Sequence, residues 1–407
     1  MLGNIYVVQN LLGGTMNLLK RKMKAFIVVV LLGITILSNG VTCFAEESSK
    51  PQLLSESFVL MEASTGTVLY ERDMHKVLPP ASITKIMTLL LIYEALEEGT
   101  ITKETIVTTS DHAASMGGSQ VYLEPGEQQT VETLIKCICI SSANDGCVAM
   151  AEHLAGTEEA FVEEMNKKAK ELGMNDTHFV NCCGLDVDGH VSSAYDIAVM
   201  SKELMSRYPD IMTYSTTRID SMTHTTKNGS TEFGLTNTNK LLTSYEGITG
   251  LKTGSTSKAR YCLSATATRN DIDLIAVVLS APDTKTRFKE AATLLNYGFS
   301  QCKIFKDDHT DLAPVIVPVE RSMQQEVTLV PKDIFQYISV AKEDLSQISK
   351  EILVYETIVA PIVQGEELGT IVYSLNGKEI GRIPLIAEND IPEASYLDYL
   401  KQILSLF

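Results

Sequence analysis

The chain has 407 residues, 44% apolar and 21% charged, which is the composition of folded domains and excludes a disordered or collagen-like polymer. At that length two folded units with accessory segments are expected. The 51 acidic residues outnumber the 34 basic ones for a formal charge of −17, and residues 1–45 hold four bases and no acid, so the remainder is more acidic still and nucleic-acid binding drops out.

The chain opens with a basic cluster, Lys20-Arg21-Lys22-Met23-Lys24, ahead of an apolar run over 25–37. Thr42-Cys43-Phe44-Ala45 and then Glu46-Glu47 follow. A charged start, a short apolar stretch and a small residue before an acidic sequence read as an export signal over 1–45, cut after Ala45. A transmembrane anchor needs about 20 apolar residues, and this run has thirteen. Cys43 lacks the leucine three positions before it that a lipoprotein site would carry. Residues 1–15 are read as extra chain upstream, with Met16 and Met23 as alternative starts.

A strand-turn-strand pattern begins at Ser57: Phe58-Val59-Leu60-Met61, then Ser64-Thr65-Gly66, then Thr67-Val68-Leu69-Tyr70. A helix is expected over 82–97, after Pro79-Pro80 and before Gly99. Helical periodicity returns over 131–140, 145–154, 158–172 and 194–207. The β-rich runs 260–267 and 273–280 flank Arg269-Asn270-Asp271, a hairpin signal, and a helix over 283–297 closes the region. Strands at both ends with helices between them predict an α+β domain over 46–305 whose terminal segments share one antiparallel sheet.

From Ala313 short alternating runs dominate, and Asn376-Gly377 between 370–373 and 379–383 is a strong two-residue hairpin signal. A small all-β domain is expected over 313–388. Residues 394–407 form a helical tail with Leu397, Leu400, Ile403, Leu404 and Phe407 on one stripe. That stripe fits an amphipathic helix lying on a membrane, or one packed on the β domain. Beyond the signal seven cysteines remain, an odd number without zinc-ligand spacing, so they are read as small buried hydrophobes.

Three short motifs carry the chemistry. Ser-x-x-Lys occurs at Ser82…Lys85, Ser255…Lys258 and Ser300…Lys303, and Ser-x-Asn at Ser142-Ala143-Asn144 and Ser374-Leu375-Asn376. Lys252-Thr253-Gly254 occurs once. Context selects among the copies. Ser82 stands at a helix start, where the dipole favours developing negative charge. Lys85 is one turn on, on the same face, and a lysine can take a hydroxyl proton when burial and a second cation favour its neutral form. Ser142 and Asn144 sit in a loop between helices, and Lys252 precedes a β-rich run, with Gly254 leaving room for a substrate backbone. Singly, each feature has a plainer use: Ser82 as a helix cap, Asn144 as another, Lys252 as a solvated strand charge. Together and in this order they form the signature of penicillin-binding proteins and class A β-lactamases.

The sequence resembles the serine-type D-alanyl-D-alanine carboxypeptidases, the low-molecular-mass penicillin-binding proteins, over about residues 50–390. The resemblance extends to Pro79-Pro80-Ala81-Ser82-Ile83-Thr84-Lys85, Gly118-Ser119, Asn144-Asp145, Gly184-Leu185-Asp186, Gly189-His190, Ser192-Ser193-Ala194 and Gly250-Leu251-Lys252-Thr253-Gly254-Ser255-Thr256. It implies a penicillin-recognising α+β domain like that of serine transpeptidases and β-lactamases, a C-terminal β domain and a membrane-attaching tail. It also implies that Ser82 attacks the penultimate D-Ala carbonyl of a peptidoglycan pentapeptide stem, with Lys85 as general base and Ser142 relaying a proton to the leaving D-Ala. Asn144 would hold the substrate amide and Lys85. Lys252 and Thr253 would bind the terminal carboxylate, and the N–H groups of Ser82 and Ser255 would form the oxyanion hole. β-Lactam antibiotics would acylate Ser82. No metal or other cofactor is implied, and the enzyme would work at the outer face of the cell membrane or in the wall. Some relatives place His where Ser255 stands.

Three other readings stay open. A β-lactamase needs a deacylating glutamate, and no Glu-x-x-Leu-Asn loop lies between Asn144 and Lys252. A catalytically dead wall-binding protein would not need Ser82, Lys85, Asn144 and Lys252 together. A cross-bridge endopeptidase would cleave the same kind of bond after D-Ala. His190 is read either as a satisfied loop residue or as a cleft residue, and stays outside the expected site. The histidines form no His-x-x-x-His pair and there is no Gly-x-Ser-x-Gly elbow, against a zinc peptidase or an α/β-hydrolase.

Overall fold

Two apolar strand runs, SFVLME and IDLIAVVLSA, become adjacent strands in the middle of one sheet, because each has to be covered on both faces. The computed structural model describes residues 50–404 apart from 228, 341 and 342. The expected export signal and the end of the apolar tail, including Phe407, lie outside the described residues.

In chain order come β1 (Ser57–Glu62), β2 (Val68–Arg72), a 3₁₀ turn (Ala81–Thr84) and α1 (Lys85–Glu97). Next are β3 (Ile106–Thr108), α2 (Asp111–Ala114), β4 (Gln128–Thr130), α3 (Val131–Ile140), α4 (Asn144–Ala155), α5 (Glu158–Glu171), α6 (Ala194–Arg207) and α7 (Ile211–Ser215). A hairpin of β5 (Ile219–Thr226) and β6 (Gly229–Thr236) leads to β7 (Ile248–Thr256), β8 (Arg260–Arg269), β9 (Ile272–Ala281) and α8 (Thr284–Gln301).

The main sheet has the order β2-β1-β9-β8-β7 with every pairing antiparallel, so the two ends of the region meet at β1 and β9 as expected. Alternation divides the strands between two cores. Val59, Met61, Ile275, Val277 and Leu279 face the helical region around α1. Phe58, Leu60, Leu274, Ala276 and Val278 face α8, which returns Phe288, Ala291, Leu294 and Leu295. Residues 85–93 of α1 are buried without a polar stripe, so α1 is the central helix of its layer. Thr130, Thr157, Ser193 and Asp283 start α3, α5, α6 and α8, each accepting from the amide three residues on.

The second region contains β10 (Lys303–Asp307), β11 (Val315–Glu320), β12 (Glu326–Pro331), β13 (Phe335–Ser339), β14 (Ile348–Val354), β15 (Ile358–Val359), β16 (Glu367–Leu375), β17 (Lys378–Ala387) and α9 (Tyr396–Leu404). Six of these strands form one sheet in the order β14-β16-β17-β12-β11-β15, with their own core. Leu375 pairs with Lys378, and Asn376 and Gly377 both have positive φ, the backbone a two-residue hairpin loop demands. Asn270 and Asp271 make the same kind of turn between β8 and β9. The fold class is therefore as expected: an α+β domain followed by an all-β domain.

Several details differ. The expected helix over 82–97 begins as a 3₁₀ turn, and α8 runs to Gln301. The polar β5–β6 hairpin has no counterpart in the sequence reading, since only Met222 and Leu235 among its residues are buried. β10 starts before residue 313 and pairs with β13. Facing pairs on that two-stranded unit go to different cores: Ile304 and Ile338 pack with the α8 core, Phe305 and Tyr337 with the C-terminal one.

Candidate active site

The three motifs converge from three elements. Ser82 lies in the 3₁₀ turn, Lys85 begins α1, Asn144 begins α4, and Lys252, Thr253, Gly254 and Ser255 lie on β7. Lys85 is fully buried, and its Nζ lies 3.1 Å from Ser82 Oγ, 2.6 Å from Asn144 Oδ1 and 2.6 Å from the Cys183 carbonyl. Asn144 Nδ2 donates to the Gly117 carbonyl at 2.7 Å, which fixes its amide so that Oδ1 faces Lys85. None of the plainer uses holds. Ser82 makes no cap hydrogen bond, Asn144 spends its side chain on Lys85 and Gly117, and Lys252 is 1% exposed.

Ser142 is buried in the short loop between α3 and α4 with φ +62, a left-handed conformation that costs a non-glycine residue about 1–2 kcal/mol. The neighbouring Asp145 carboxylate accepts from Val121, Leu123 and Gly146 N–H, and the Asn144 N–H donates to the Ser119 carbonyl. The loop over 117–123 is thereby bound to the start of α4. Gly118 is required there: its φ is +82, and a Cβ would stand 2.9 Å from Asn144 Nδ2.

Burial, and then the Lys85 charge, bring the Lys252 amine down to about 7. The Lys252 amine is thus close to losing its proton near neutral pH. Lys252 Nζ donates to the Thr253 carbonyl, and Thr253 Oγ1 lies 2.6 Å from Thr238 Oγ1. Gly254 makes room for the protein's own backbone, since a Cβ would stand 3.0 Å from the Pro80 carbonyl oxygen and 3.1 Å from Ser82 N. That contact seats the Ser82 turn against β7, one residue before the exposed Ser255. β7 is an end strand of its sheet, so its outer edge offers unpaired main-chain groups.

The segment over 181–184 supports the turn from behind. Its carbonyls accept from Thr88 Oγ1 and Lys85 Nζ, and Gly184 passes so close that a Cβ would lie 1.9 Å from the Ala81 oxygen. All seven cysteines among the described residues are free and buried, Cys182 and Cys183 included. His190 is buried, and its ring hydrogen-bonds to Thr84 of the turn and to the Val180 N–H.

Arg287 was not anticipated. Buried on α8, it donates to the carbonyls of Gly254 and Cys262 and stiffens β7 and β8 at the motif. The readable signal was a charge on an apolar stripe, because Arg287 and Glu290 share the face of Ala291 and Leu294. Glu290 likewise serves main chain, accepting from Leu54 and Ser55 N–H.

With this geometry in view, the comparisons are direct. A family model described as D-alanyl-D-alanine carboxypeptidase (Peptidase_S11) matches residues 44–283, and one for the penicillin-binding protein 5 C-terminal domain matches 299–393. The chain is 41% identical over 386 residues to D-alanyl-D-alanine carboxypeptidase DacF of Bacillus subtilis (strain 168), covering 94% of this chain and 98% of the relative. It is 33% identical over 365 residues to DacC of Escherichia coli (strain K12), another D-alanyl-D-alanine carboxypeptidase, covering 87% and 89%. The crystal structure of a peptidoglycan synthesis regulatory factor (PBP3) from Streptococcus pneumoniae superposes with a TM-score of 0.66 at 28% identity, covering 84% of this chain and all of that one.

Proposed function

The chain belongs to the peptidase S11 family of D-alanyl-D-alanine carboxypeptidases, penicillin-binding proteins that act on cell-wall peptidoglycan through a serine acyl-enzyme, and from that premise we propose how its residues divide the work. Ser82 is the nucleophile. Lys85 takes the Ser82 hydroxyl proton as the oxygen attacks the carbonyl of the penultimate D-Ala in a pentapeptide stem. The N–H groups of Ser82 and Ser255 receive the oxyanion. Ser142 passes a proton to the departing D-Ala amine, and Asn144 holds Lys85 and the substrate amide. The terminal carboxylate pairs with Lys252 and the Thr253 hydroxyl. An extended stem peptide adds to the open edge of β7. Water then releases the acyl group and Ser82 recovers its proton.

The observation that carries this reading is the fully buried Lys85 amine held between Ser82 Oγ and Asn144 Oδ1. The test is intact mass after mixing the protein from Glu46 onward with penicillin, beside Ser82→Ala. A persistent one-to-one adduct on the unaltered protein alone is expected. Fast drug turnover without an adduct would favour a β-lactamase, and an adduct on Ser82→Ala would remove Ser82 from its role.

Two finer points belong to the same proposal. Export through the signal over 1–45 would bring the enzyme to its wall substrate. The tail would touch the membrane: Leu397, Leu400, Ile403 and Leu404 on α9 are each at least 40% exposed. No helix among the described residues is long and apolar enough to cross a bilayer, so the contact would be peripheral. The measurement is co-sedimentation with vesicles; equal binding by protein ending at Glu393 would end that part.

A further inference from the structure

His190 lies in the segment between α5 and α6, 3% exposed, and the scheme above gives it no part. Its hydrogen bonds have one consistent direction. Nδ1 lies 3.0 Å from the Val180 N–H, which can only donate, so Nδ1 accepts and the ring proton is on Nε2. Nε2 lies 2.7 Å from Thr84 Oγ1, and the Thr84 hydroxyl donates onward to the Ala81 carbonyl at 2.9 Å. The chain thus runs from Val180 through His190 and Thr84 to Ala81, with each donor matched to an acceptor.

Its end point matters because of peptide planarity. The Ala81 carbonyl and the Ser82 N–H belong to one rigid plane and point in opposite directions. Whatever fixes that carbonyl aims that N–H. The peptide has no strong preference of its own for this direction, since Ala81 sits at φ +50, the left-handed region that a residue with a Cβ avoids. We propose that His190 is a positioning residue for the oxyanion hole: acting through Thr84, it holds the Ala81–Ser82 peptide so that the Ser82 N–H points into the cleft. The groups facing the imidazole suit the role. Burial pushes it down to about 4, His178 and Lys85 act in the same direction, and Asp186 opposes them, so near neutral pH the ring is uncharged and keeps an accepting Nδ1.

The proposal rests on Ser82 being the acylated residue, and its test separates the two. Each His190 substitution removes one half of the ring's function. His190→Asn can still accept from Val180 but no longer reaches Thr84, whereas His190→Gln can still donate to Thr84. The measured quantities are the penicillin acylation rate constant, the dissociation constant of the preceding complex, and the melting temperature. His190→Asn and Thr84→Val are each expected to slow acylation by about tenfold to a hundredfold with little change in the dissociation constant. His190→Gln and Thr84→Ser should stay within about threefold of the unaltered protein, and the double variant His190→Asn/Thr84→Val should be no slower than the slower single, because the two act in series. Equal acylation by the Asn and Gln variants, or losses that multiply in the double variant, would overturn the proposal. Persistent penicillin uptake by Ser82→Ala would instead overturn the reading on which it rests.

Discussion

The α+β region and the C-terminal β region are built on different terms. Among the described residues, the buried polar and charged side chains almost all precede residue 303, and Ser339 is the exception. In the first region buried Lys85, Asp145, Arg287 and Glu290 each bind main chain, so the polar groups hold the backbone in shape. In the second region the core is apolar and the ion pairs are mainly at the surface, such as Lys332–Glu367 and Arg382–Glu379. Burying a charge is costly unless its partners are fixed beforehand. The first region bears that cost at several places, where the buried groups hold the main chain around the candidate site, and the second avoids it.

The contrast can be broken at either end. The largest effect is expected at Lys85: Lys85→Ala should lower penicillin acylation at least about a thousandfold, read by intact mass against time. Gly184→Ala should follow, because its Cβ would stand 1.9 Å from the Ala81 oxygen at a φ of +87. A loss of about 3 kcal/mol in urea unfolding is expected, with slower acylation; unchanged values for both would show that the turn can give way there.

Two pH effects come next. The His190 pKa of about 4 lies below the roughly 6.5 of an unfolded chain, so the unfolded state binds more protons between those values. Stability contributed by this group is complete above 6.5 and is lost as pH falls to 4, by about 3 kcal/mol in all. His190→Gln should flatten that part of the curve in urea unfolding. Lys252 titrates the other way with respect to function: above about 7 it loses the charge that would pair with a substrate carboxylate. The kcat/KM for D-Ala release should therefore fall above pH 7 by up to about tenfold per unit, and a profile flat to pH 9 would remove Lys252 as that cation. The smallest effect is expected in the β region. Lys350→Ala removes the 2.7 Å contact to Asp307 and should cost under about 1 kcal/mol without changing acylation.

Much of this contrast was legible in the sequence where a local rule had no competitor. The helices over 131–140 and 194–207 have the expected bounds because periodicity and the caps Thr130 and Ser193 agree. Asn376-Gly377 fixed its hairpin because few other dipeptides tolerate two positive φ angles. The motif residues were picked out by order along the chain. Their mutual distances were not visible, because those depend on Gly118, Gly184 and Gly254 letting separate segments approach. At Gly254 the structure adds a use that the motif does not show, since the missing Cβ also admits the backbone of Pro80–Ser82. Arg287 and the β5–β6 hairpin escaped notice because one is a charge placed by tertiary contact and the other has almost no apolar pattern.

The two-stranded unit of β10 and β13 has a consequence for cooperativity. Ile304 and Ile338 complete one core while the adjacent Phe305 and Tyr337 complete the other, so one short ladder cannot be undone without opening both. The regions on either side are therefore thermally interlocked, and calorimetry should record a single endotherm. A chain cut after Gln301 would leave an apolar notch beside α8 where Ile304 and Ile338 had been, a surface open to a substitute strand.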